Sequence, residues 1–336
     1  MNQQLTPKDF TTDQEVRWCP GCGDYAIVNA VRKALVNIGR PPEEVAFVSG
    51  IGCAARFPYY IESYGFHTIH GRAPAVATGL KLANPELDVW VVGGDGDFLS
   101  IGGNHLYHAL RRNVDLNLLL LNNAIYGLTK GQYSPTSQPG TRSPSSPGGS
   151  ADSPVNAALF ALGSGARFVA RSGDTLPNHL PAMLERTQAH KGAALLEIFQ
   201  NCIVYNDGVW GGLADKTTTE DLTIRLEHEA PMVFGKAQDR GLVFDPVTGM
   251  FSVINEADGP VAERATRNDE TKWMLANALA HLQGGNDLPT VLGVLYCVED
   301  EDYETSRAKA APYQPVSRED LAGLLSGDGT WKVNGE

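Results

Sequence analysis

The chain has 336 residues, of which 42% are hydrophobic and 20% charged, and its formal net charge is −12. That length, and that proportion of hydrophobic to charged residues, suit a protein with one large α/β domain plus an extension, or with two domains. The acidic surface would repel nucleic-acid phosphate, and no apolar run approaches the ~20 residues of a membrane span, so we expect neither partner. The N-terminal sequence MNQQLTPKDF does not have the pattern of a signal peptide, which predicts a cytoplasmic location.

Helical patterns and continuously apolar segments alternate through the first two thirds of the chain. The first helix is predicted to begin near Asp24, a possible N-cap, and to end at Gly39. Further helices are predicted at 74–85, 102–113 and 178–190, and strands at 44–50, 87–94, 115–123, 166–171 and 192–199. Because continuously apolar strands linked by helices form parallel sheets covered on both faces, the pattern predicts a doubly wound, mostly parallel α/β fold.

Two regions interrupt this alternation. The segment 134–154 contains five prolines and no periodicity, which predicts a long loop of the functional or disordered kind. From about Leu222 onward the strand and helix patterns fade. We therefore predict an α/β domain over 1–225 and a C-terminal extension over 226–336 that packs on a partner subunit.

Polar clusters follow two neighbouring predicted strands, GGDGDFLS at 93–100 and NN at 122–123. Only one predicted helix separates them, so both clusters lie at the carboxyl ends of parallel strands, where open α/β sheets bind ligands. Asp95 offers a carboxylate and Asn123 an amide oxygen, which are suitable ligands for Mg²⁺ beside a diphosphate. The helix beginning near Gly103 could point free N–H groups at the anion. GDGD alone is an ordinary glycine turn, but the paired NN at this spacing favours a metal–diphosphate site.

The chain contains five cysteines, and an odd number in a cytoplasmic protein argues against a disulfide framework. Cys19 and Cys22 precede the first predicted helix, whereas Cys53 and Cys202 each follow a predicted strand at the ligand-binding edge. One Cys-x-x-Cys and two distant cysteines suit a [4Fe-4S] cluster. A structural zinc ribbon, the alternative, normally has a second Cys-x-x-Cys, and a redox dithiol would leave two cysteines unexplained. Cys297 is expected to be a buried core residue.

Several separated motifs resemble one known family. Gly-Asp-Gly followed by Asn-Asn at this spacing resembles the signature of thiamine diphosphate enzymes. With WCPGCG, SGIGCAAR, HTIHGRAPAVATGLKLA, LNNAIYGLTKGQYSPTS and NCIVYND, the segment 16–250 resembles the β subunit of 2-oxoacid:ferredoxin oxidoreductases, with the 2-oxoglutarate type favoured. The resemblance implies the thiamine diphosphate-binding fold and Mg²⁺ held by the Asp95 and Asn123 side chains and the Ile125 carbonyl. The implied ligands of the [4Fe-4S] cluster are Cys19, Cys22, Cys53 and Cys202.

The same resemblance assigns residues to the cofactor and to the reacting centre. The other implied cofactor-binding residues are Ile51, Gly52, His70, Gly71, Arg72, Gly94, Gly96, Asp97, Tyr126, Gly127, Leu128 and Thr129. The implied residues around the substrate are Arg56, Leu128, Thr129 and Lys130, with Gln132 beside them. His70 could equally be a structural histidine, Lys130 could be solvated, and His105 is a weaker candidate. Arg56 could pair with the distal carboxylate of 2-oxoglutarate, or it could shield the negative charge of the cluster.

The implied reaction is oxidative decarboxylation of a 2-oxoacid to acyl-CoA and CO₂, with electrons passing through the cluster to ferredoxin, possibly reversibly. The chain has no evident pyrimidine-binding domain, so we expect an α subunit to supply the activating glutamate in a dimer of αβ heterodimers. The chain alone should be inactive. The alternatives are a pyruvate or broad-specificity oxidoreductase, a non-oxidative thiamine diphosphate decarboxylase or carboligase, and a zinc-stabilised binding protein without enzymatic activity.

Overall fold

The computed structural model describes residues 5–215, 217–285, 287–312, 316–327, 329–331 and 333. Its strands are β1 (Val45–Ser49), β2 (Tyr64–His67), β3 (Asp88–Gly94), β4 (Leu116–Asn122), β5 (Phe168–Gly173), β6 (Ala193–Phe199), β7 (Thr223–Arg225), β8 (Val233–Phe234), β9 (Arg240–Asp245), β10 (Met250–Asn255), β11 (Gln283–Gly285) and β12 (Leu288–Cys297). Its helices are α1 (Asp24–Ile38), α2 (Phe57–Tyr60), α3 (Ala73–Ala83), α4 (Asp95–Leu99), α5 (Gly103–Arg112), α6 (Ala157–Gly163), α7 (His179–Ala189), α8 (Gly211–Ala214), α9 (Thr219–Leu222), α10 (Val261–Arg264), α11 (Trp273–Ala280), α12 (Tyr303–Ala310) and α13 (Arg318–Leu325).

The main sheet has the order β11–β12–β5–β6–β4–β3–β1–β2, with β7 paired to β12. The six strands from β5 to β2 in this order are mutually parallel, and β12 runs antiparallel to β5. On neighbouring strands Val91 lies beside Leu118, and Leu118 lies beside Leu195. The predicted doubly wound, mostly parallel α/β fold is confirmed.

Two hydrophobic cores cover the two faces of this sheet. Every residue of β1, β4 and β6 is buried, so these strands are covered on both faces of the sheet. Along β4, Leu118 packs in the core that contains side chains of α3, α5 and α11, whereas the next residue, Leu119, packs with α1 and α7. This alternation follows from the two-residue period of a strand, and it fixes which residues emerge at the sheet edge.

Most predicted elements are present within a residue or two of their expected limits. α1 ends at Gly39, whose φ of 78° is left-handed and closes the helix with an N–H bond to the Leu35 carbonyl. Asp24, however, is the first helical residue and not the N-cap, and its side chain makes no capping hydrogen bond. Among the described helices none is both long and apolar enough to cross a membrane.

The segment 134–154 is a loop, as predicted, without a helix or an extended strand. Its beginning is nevertheless well anchored, because Ser134, Thr136 and Ser137 are each at most 4% exposed. α4 was not predicted, since the glycines of GGDGDFLS suggested a loop. β2 was not predicted either; all four of its residues are exposed at the sheet edge.

The C-terminal part contributes to the main sheet, which differs from the expected arm. β12 pairs with β5 over Gly293–Cys297, and its residues Val291, Leu292 and Leu295 are buried. A division between residues 225 and 226 would separate β12 from this neighbour. The remaining strands β8, β9 and β10 form a small antiparallel sheet. Packing of the extension on a partner subunit stays a prediction.

Candidate functional site

A cleft of about 590 Å³ opens at the carboxyl edge of the main sheet. Its walls come from the segments that follow β1, β3, β4 and β6, which is where a doubly wound fold binds ligands. The residues that line it are Asp24, Ile51, Gly52, Cys53, Ala54, His70, Gly94, Asp95, Gly96, Asp97, Leu121, Asn123, Ile125, Tyr126, Gly127, Leu128, Thr129, Gln132 and Gln200. The cleft therefore brings together most of the residues that the motifs single out for a cofactor.

Asp95 begins α4 directly after β3 and is held from behind by hydroxyl groups. Its Oδ2 atom accepts hydrogen bonds from Ser134 Oγ at 2.5 Å and from Thr136 Oγ1 at 2.6 Å. The side chain is 1% exposed, and burial raises the pKa of its carboxyl, although both hydroxyls act in the opposite direction. Gly96 is required because a Cβ there would lie 2.2 Å from the Tyr126 ring.

The two asparagines after β4 have different surroundings. Asn122 is 2% exposed and points into the protein, where its Nδ2 donates to Glu197 Oε1 at 2.8 Å. Asn123 lines the cleft, and its Oδ1 accepts the Ile125 N–H at 3.2 Å. Between them and Ile125, Ala124 has a left-handed φ of 53°. The turn thus presents the side chain of Asn123 to the cleft and keeps that of Asn122 away from it.

The donor atoms around this turn fit a hard divalent cation. β3 and β4 are neighbours, with Gly94 beside Leu121, so Asp95 and Asn123 follow adjacent strand ends. A carboxylate, an amide oxygen and the Ile125 carbonyl are the protein oxygens that could hold Mg²⁺, with phosphate oxygens completing its shell. Asp95 Oδ2 is committed to the two hydroxyls, which orients the carboxylate.

Asp97, in α4, is bonded to the two loops that follow β1 and β2. Its Oδ1 atom accepts hydrogen bonds from the Gly71 N–H at 2.7 Å and from the Ile51 N–H at 3.1 Å. The same atom lies 2.8 Å from His70 Nδ1. Gly71 has a φ of 69°, and a Cβ there would come within 2.5 Å of the Gly102 nitrogen. Asp97 and Gly71 therefore have a clear structural role, and His70 is oriented by a carboxylate while it faces the cleft.

The four cysteines that the sequence grouped together lie beside the cleft. Cys19 is exposed, and Cys22, Cys53 and Cys202 are half-buried. A Cβ on Gly127 would lie 3.4 Å from Cys202 Sγ and 3.8 Å from Cys53 Sγ. Burial, followed by the charges of Asp24, Cys202 and Cys19, raises the pKa of the Cys53 thiol to about 12. Within the described residues, no three His, Cys, Asp or Glu side chains are grouped as ligands of a single metal ion.

Cys22 has a polar neighbour, Gln200, in the segment that follows β6. Gln200 Nε2, at the end of β6, lies 3.3 Å from Cys22 Sγ, so its amide can donate to a thiolate. Burial, followed by the charge of Asp24, raises the pKa of the Cys22 thiol. The thiolate form therefore needs a compensating positive charge, which iron or another metal would provide. This donor set fits a metal cluster with thiolate ligands.

Known proteins resemble this chain in sequence and in structure. Residues 50–198 match the family model "Thiamine pyrophosphate enzyme, C-terminal TPP binding domain". The 2-oxoglutarate:ferredoxin oxidoreductase from Magnetococcus marinus, solved with 2-oxoglutarate, coenzyme A and succinyl-CoA bound, matches with a TM-score of 0.75 and 30% identity over 97% of each chain. The 2-oxoacid:ferredoxin oxidoreductase 1 subunit beta of Aeropyrum pernix is 47% identical over 59% of this chain and 62% of its own. The 2-oxoglutarate oxidoreductase subunit KorB of Mycobacterium tuberculosis is 48% identical over 99% of this chain and 90% of its own. The chain belongs to the β-subunit family of 2-oxoacid:ferredoxin oxidoreductases.

The family predicted from the motifs is thereby confirmed, and the matched domain supports thiamine diphosphate as the cofactor of this β-subunit homologue.

Not every predicted residue lies in the cleft. Arg56 lines a neighbouring cavity of about 550 Å³, which also contains Arg17 and His67. The cavity and the cleft share Ile51, Gly52 and Leu128. Arg56 Nε donates to Tyr60 Oη at 3.1 Å.

The turn after Tyr126 carries the remaining candidates for the reacting centre. Thr129 and Gln132 line the cleft and are hydrogen-bonded to each other. Lys130 is exposed and has a left-handed φ of 78°. It does not line the cleft. A role for Lys130 in the reaction stays a prediction.

Two further predicted residues lie next to each other at the ends of α3 and α5. Arg72 is half-buried, and its Nη1 atom has no hydrogen-bond partner among the described residues. His105 is half-buried too, and burial, followed by the charges of Arg72 and His108, lowers its pKa. Neither side chain is part of the cleft lining, so their roles toward a cofactor stay predictions.

Cys297 is not the buried core residue that its apolar surroundings in the sequence suggested. It is half-buried at the end of β12 and lines a separate cavity with Phe168, Arg186 and His190. β12 ends at Cys297, which pairs with Phe168, the first residue of β5, so Cys297 lies at the margin of the sheet. Its position keeps it apart from the four cysteines at the cleft.

Sequence reasoning missed several residues that shape the site. Asp24 was interpreted as a helix cap, but it is 1% exposed in the cleft wall, and burial raises the pKa of its carboxyl to about 7. Gln200 directly precedes the motif NCIVYND, and its contact with Cys22 could not be predicted without the fold. Ser134 and Thr136 lie in the SPTS part of a motif that was noted for its other residues.

Proposed function

We propose that this chain is the β subunit of a 2-oxoacid:ferredoxin oxidoreductase acting on 2-oxoglutarate. The reaction joins the 2-oxoacid, coenzyme A and two oxidised ferredoxins, and gives acyl-CoA, CO₂, two reduced ferredoxins and a proton. The α subunit supplies the pyrimidine-binding domain and its glutamate, in a dimer of αβ heterodimers located in the cytoplasm. The similarity to the two 2-oxoglutarate enzymes supports the substrate.

One observation carries this proposal: Gly127 lies between the cleft and the cysteines. It lines the cleft with Asp95 and Asn123, and Cys53 and Cys202 have their sulfur atoms within 4 Å of a Cβ placed on it. The cleft for the predicted cofactor and two ligands of the predicted cluster therefore meet at one residue without a side chain. Short separation is what transfer of electrons from one to the other requires.

The chain's own residues bind and orient the cofactor. Thiamine diphosphate, when bound, supplies the carbanion chemistry at the keto carbon of the substrate. Asp95, Asn123 and the Ile125 carbonyl hold Mg²⁺, which holds the diphosphate. Leu121, Ile51 and Leu128 contribute apolar surface to the cleft, which limits access of water to the reacting carbon.

The four cysteines hold the [4Fe-4S] cluster in this proposal. Cys19 and Cys22 approach from the loop before α1, Cys53 from the segment after β1 and Cys202 from the segment after β6. Gln200 donates to Cys22 Sγ, and a hydrogen bond to a ligand sulfur is one of the factors that set a cluster's reduction potential. A non-oxidative decarboxylase or carboligase would have no use for this group of thiols.

Substrate choice is assigned to the cavity that contains Arg56. This cavity shares Ile51, Gly52 and Leu128 with the cleft, so Arg56 lies on the side toward which a substrate with its keto carbon in the cleft would extend a second carboxylate. A guanidinium can bind a carboxylate through two parallel hydrogen bonds. Burial raises the pKa of the Cys53 thiol and the charge of Arg56 acts against that rise, so shielding of the cluster is the competing role of Arg56.

The experiment is anaerobic reduction of ferredoxin by this chain co-expressed with its α subunit. Each 2-oxoacid is supplied with coenzyme A, and ferredoxin absorbance and acyl-CoA are followed together. We expect 2-oxoglutarate to give two reduced ferredoxins per acyl-CoA. Aldehyde or carboligation products without ferredoxin reduction would establish the non-oxidative alternative. A colourless complex that contains zinc and forms no product would overturn the proposal in favour of a binding protein.

A further inference from the structure

The core beneath the cleft contains an ion pair that is fully enclosed. Arg171 Nε and Glu197 Oε2 are 2.8 Å apart, and both side chains are 0% exposed. They lie side by side on β5 and β6. Replacement of such a pair by apolar residues of similar volume is often neutral or stabilising, so its presence calls for a role beyond stability. Arg171 Nη2 is anchored further by Asn156 Oδ1 and by the Ala280 carbonyl, each at 3.0 Å.

Asn122 connects this ion pair to the cleft. Its Nδ2 donates to Glu197 Oε1 at 2.8 Å, and its Oδ1 accepts the Ala124 N–H at 3.2 Å. Thr136 Oγ1 lies 2.9 Å from Asn122 Oδ1 and 2.6 Å from Asp95 Oδ2. The Thr136 hydroxyl has one proton, so its contacts with these two acceptors form one three-centre hydrogen bond that spans the amide and the carboxylate. A continuous set of buried contacts thus runs from Glu197 to Asp95.

The same asparagine supports the turn that carries the other two predicted Mg²⁺ ligands. Ala124 has a left-handed φ of 53°, a conformation that residues with a Cβ rarely adopt. Its N–H is held by Asn122 and its carbonyl by Ser137 Oγ at 2.6 Å. Asn123 and Ile125 flank this residue, so the conformation of Ala124 sets where both ligands point.

We propose that Asn122 is a positioning residue for the metal site. Its side chain is anchored by Glu197 of the buried ion pair. Through Thr136 it helps to orient Asp95. Through the N–H of Ala124 it helps to orient Asn123 and Ile125. The first asparagine of the NN motif therefore orients the ligands, and the second one binds. This inference rests on the proposed function, because it assigns the same three Mg²⁺ ligands.

The test compares two asparagines of one strand. Asn117 lies near the other end of β4, is 7% exposed and donates its Nδ2 to Asp88 Oδ1 at 2.8 Å. Asn122→Ala and Asn117→Ala each remove a buried amide that is bonded to a carboxylate. The complex with the α subunit is freed of cofactor, and Mg²⁺ is titrated by calorimetry at saturating thiamine diphosphate. We expect a Kd for Mg²⁺ about 10- to 100-fold higher in Asn122→Ala, and unchanged in Asn117→Ala.

Thr136 provides a second pair of variants that does not disturb the core. Thr136→Val removes the bridging hydroxyl at nearly constant volume, and Thr136→Ser keeps it. We expect weaker Mg²⁺ binding in the valine variant and recovery in the serine variant, with both metal-free complexes folded at the temperature of the titration. The Thr136 pair tests the link to Asp95, and if Asn122→Ala does not fold, Asn122→Ser takes its place in the titration that tests Asn122 itself. Mg²⁺ affinity that stays within twofold of wild type in the folded variants would overturn the inference, whereas a wild-type complex that binds neither Mg²⁺ nor thiamine diphosphate would overturn the proposed function itself.

Discussion

Asn206 connects, through hydrogen bonds, the loop that contains the predicted cluster ligand Cys202 to the turn that contains the predicted magnesium ligand Asn123. Its side-chain Nδ2 donates to the main-chain carbonyl of Asn123 at 2.9 Å, and its main-chain N–H donates to the Cys202 carbonyl at 2.9 Å. Nδ2 also lies 3.2 Å from the Ala124 carbonyl. A displacement of either segment would therefore be transmitted to the other through one side chain.

Asn206→Ala should weaken the metal site without affecting the cysteines. Loss of one or two hydrogen bonds, each contributing about 0.5–1.5 kcal/mol, should raise the Kd for Mg²⁺ roughly three- to tenfold. Calorimetry at saturating thiamine diphosphate measures this change. Asn201→Ala is the control, because the hydrogen bonds of the Asn201 side chain to other described residues are to Asp207 and Gly208 of its own loop. Equal effects of the two substitutions would contradict the coupling.

Asp95→Asn should remove the principal metal ligand while keeping the fold. The amide oxygen can still accept from Ser134 and Thr136, and a buried carboxylate no longer has to be desolvated. We expect Mg²⁺ binding to fall more than about 100-fold, since a direct ligand matters more than the outer residues that orient it. The melting temperature of the metal-free complex should equal or exceed that of the wild type. Asp88→Asn, at the start of β3, should leave Mg²⁺ binding unchanged, and retained binding in Asp95→Asn would exclude this residue as a ligand.

Arg56→Leu should separate two substrates of different charge. The KM for 2-oxoglutarate is expected to rise roughly ten- to hundredfold, because a hydrogen bond between charged groups contributes about 1.5–3 kcal/mol. The KM for 2-oxobutyrate, which has no distal carboxylate, should change less than about twofold. Steady-state ferredoxin reduction by the αβ complex measures both values. A parallel loss with both substrates would assign Arg56 to shielding of the cluster instead.

His179 should make the protein less stable in mild acid. It begins α7, with Nδ1 at 2.9 Å from Ser172 Oγ, and burial lowers its pKa from 6.5 to about 4. Between these two values the unfolded chain binds a proton and the folded chain does not. Stability should therefore fall by roughly 2–3 kcal/mol as the pH decreases from 6.5 to 4.

His179→Gln removes this titration, so its free energy of unfolding should depend less on pH in the same window. Urea unfolding of both proteins at several pH values provides the comparison. Because the other acid-sensitive groups are common to both, the difference between the two curves isolates His179. Parallel curves would show that this histidine is not the source.

Local patterns were sufficient to predict the fold and the location of the site. The buried strands β1, β3, β4 and β6 are largely apolar, and each ends at or just before a glycine, an asparagine or a cysteine-bearing turn, so the sheet edge could be recognised in the sequence. Asn123 was chosen over Asn122 by resemblance, and the structure places its side chain in the cleft. The role of Asn122 could not be predicted, because Glu197 is 75 residues away.

Contacts between distant segments account for what was missed. Nothing local in the sequence places the SPTS segment behind Asp95, since the loop's composition indicates only irregular structure. β12 was overlooked because it follows a long stretch without the alternation of helices and strands, although its own sequence is apolar and it pairs with β5 in the main sheet. Asp24 has an ordinary preference for a helix start, and only the fold reveals its burial beside Cys22.

Iron analysis of cysteine variants tests the central claim most directly, namely that this sheet edge joins a thiamine diphosphate cleft to a [4Fe-4S] cluster. Iron and acid-labile sulfide are measured per β chain in the anaerobically purified complex, for wild type, Cys53→Ser and Cys297→Ser. We predict about four irons in the wild type and in Cys297→Ser, and a loss of most iron in Cys53→Ser, because only Cys53 lies beside Gly127 and Cys202. Iron-free wild-type protein, or iron retained equally in both variants, would contradict the account.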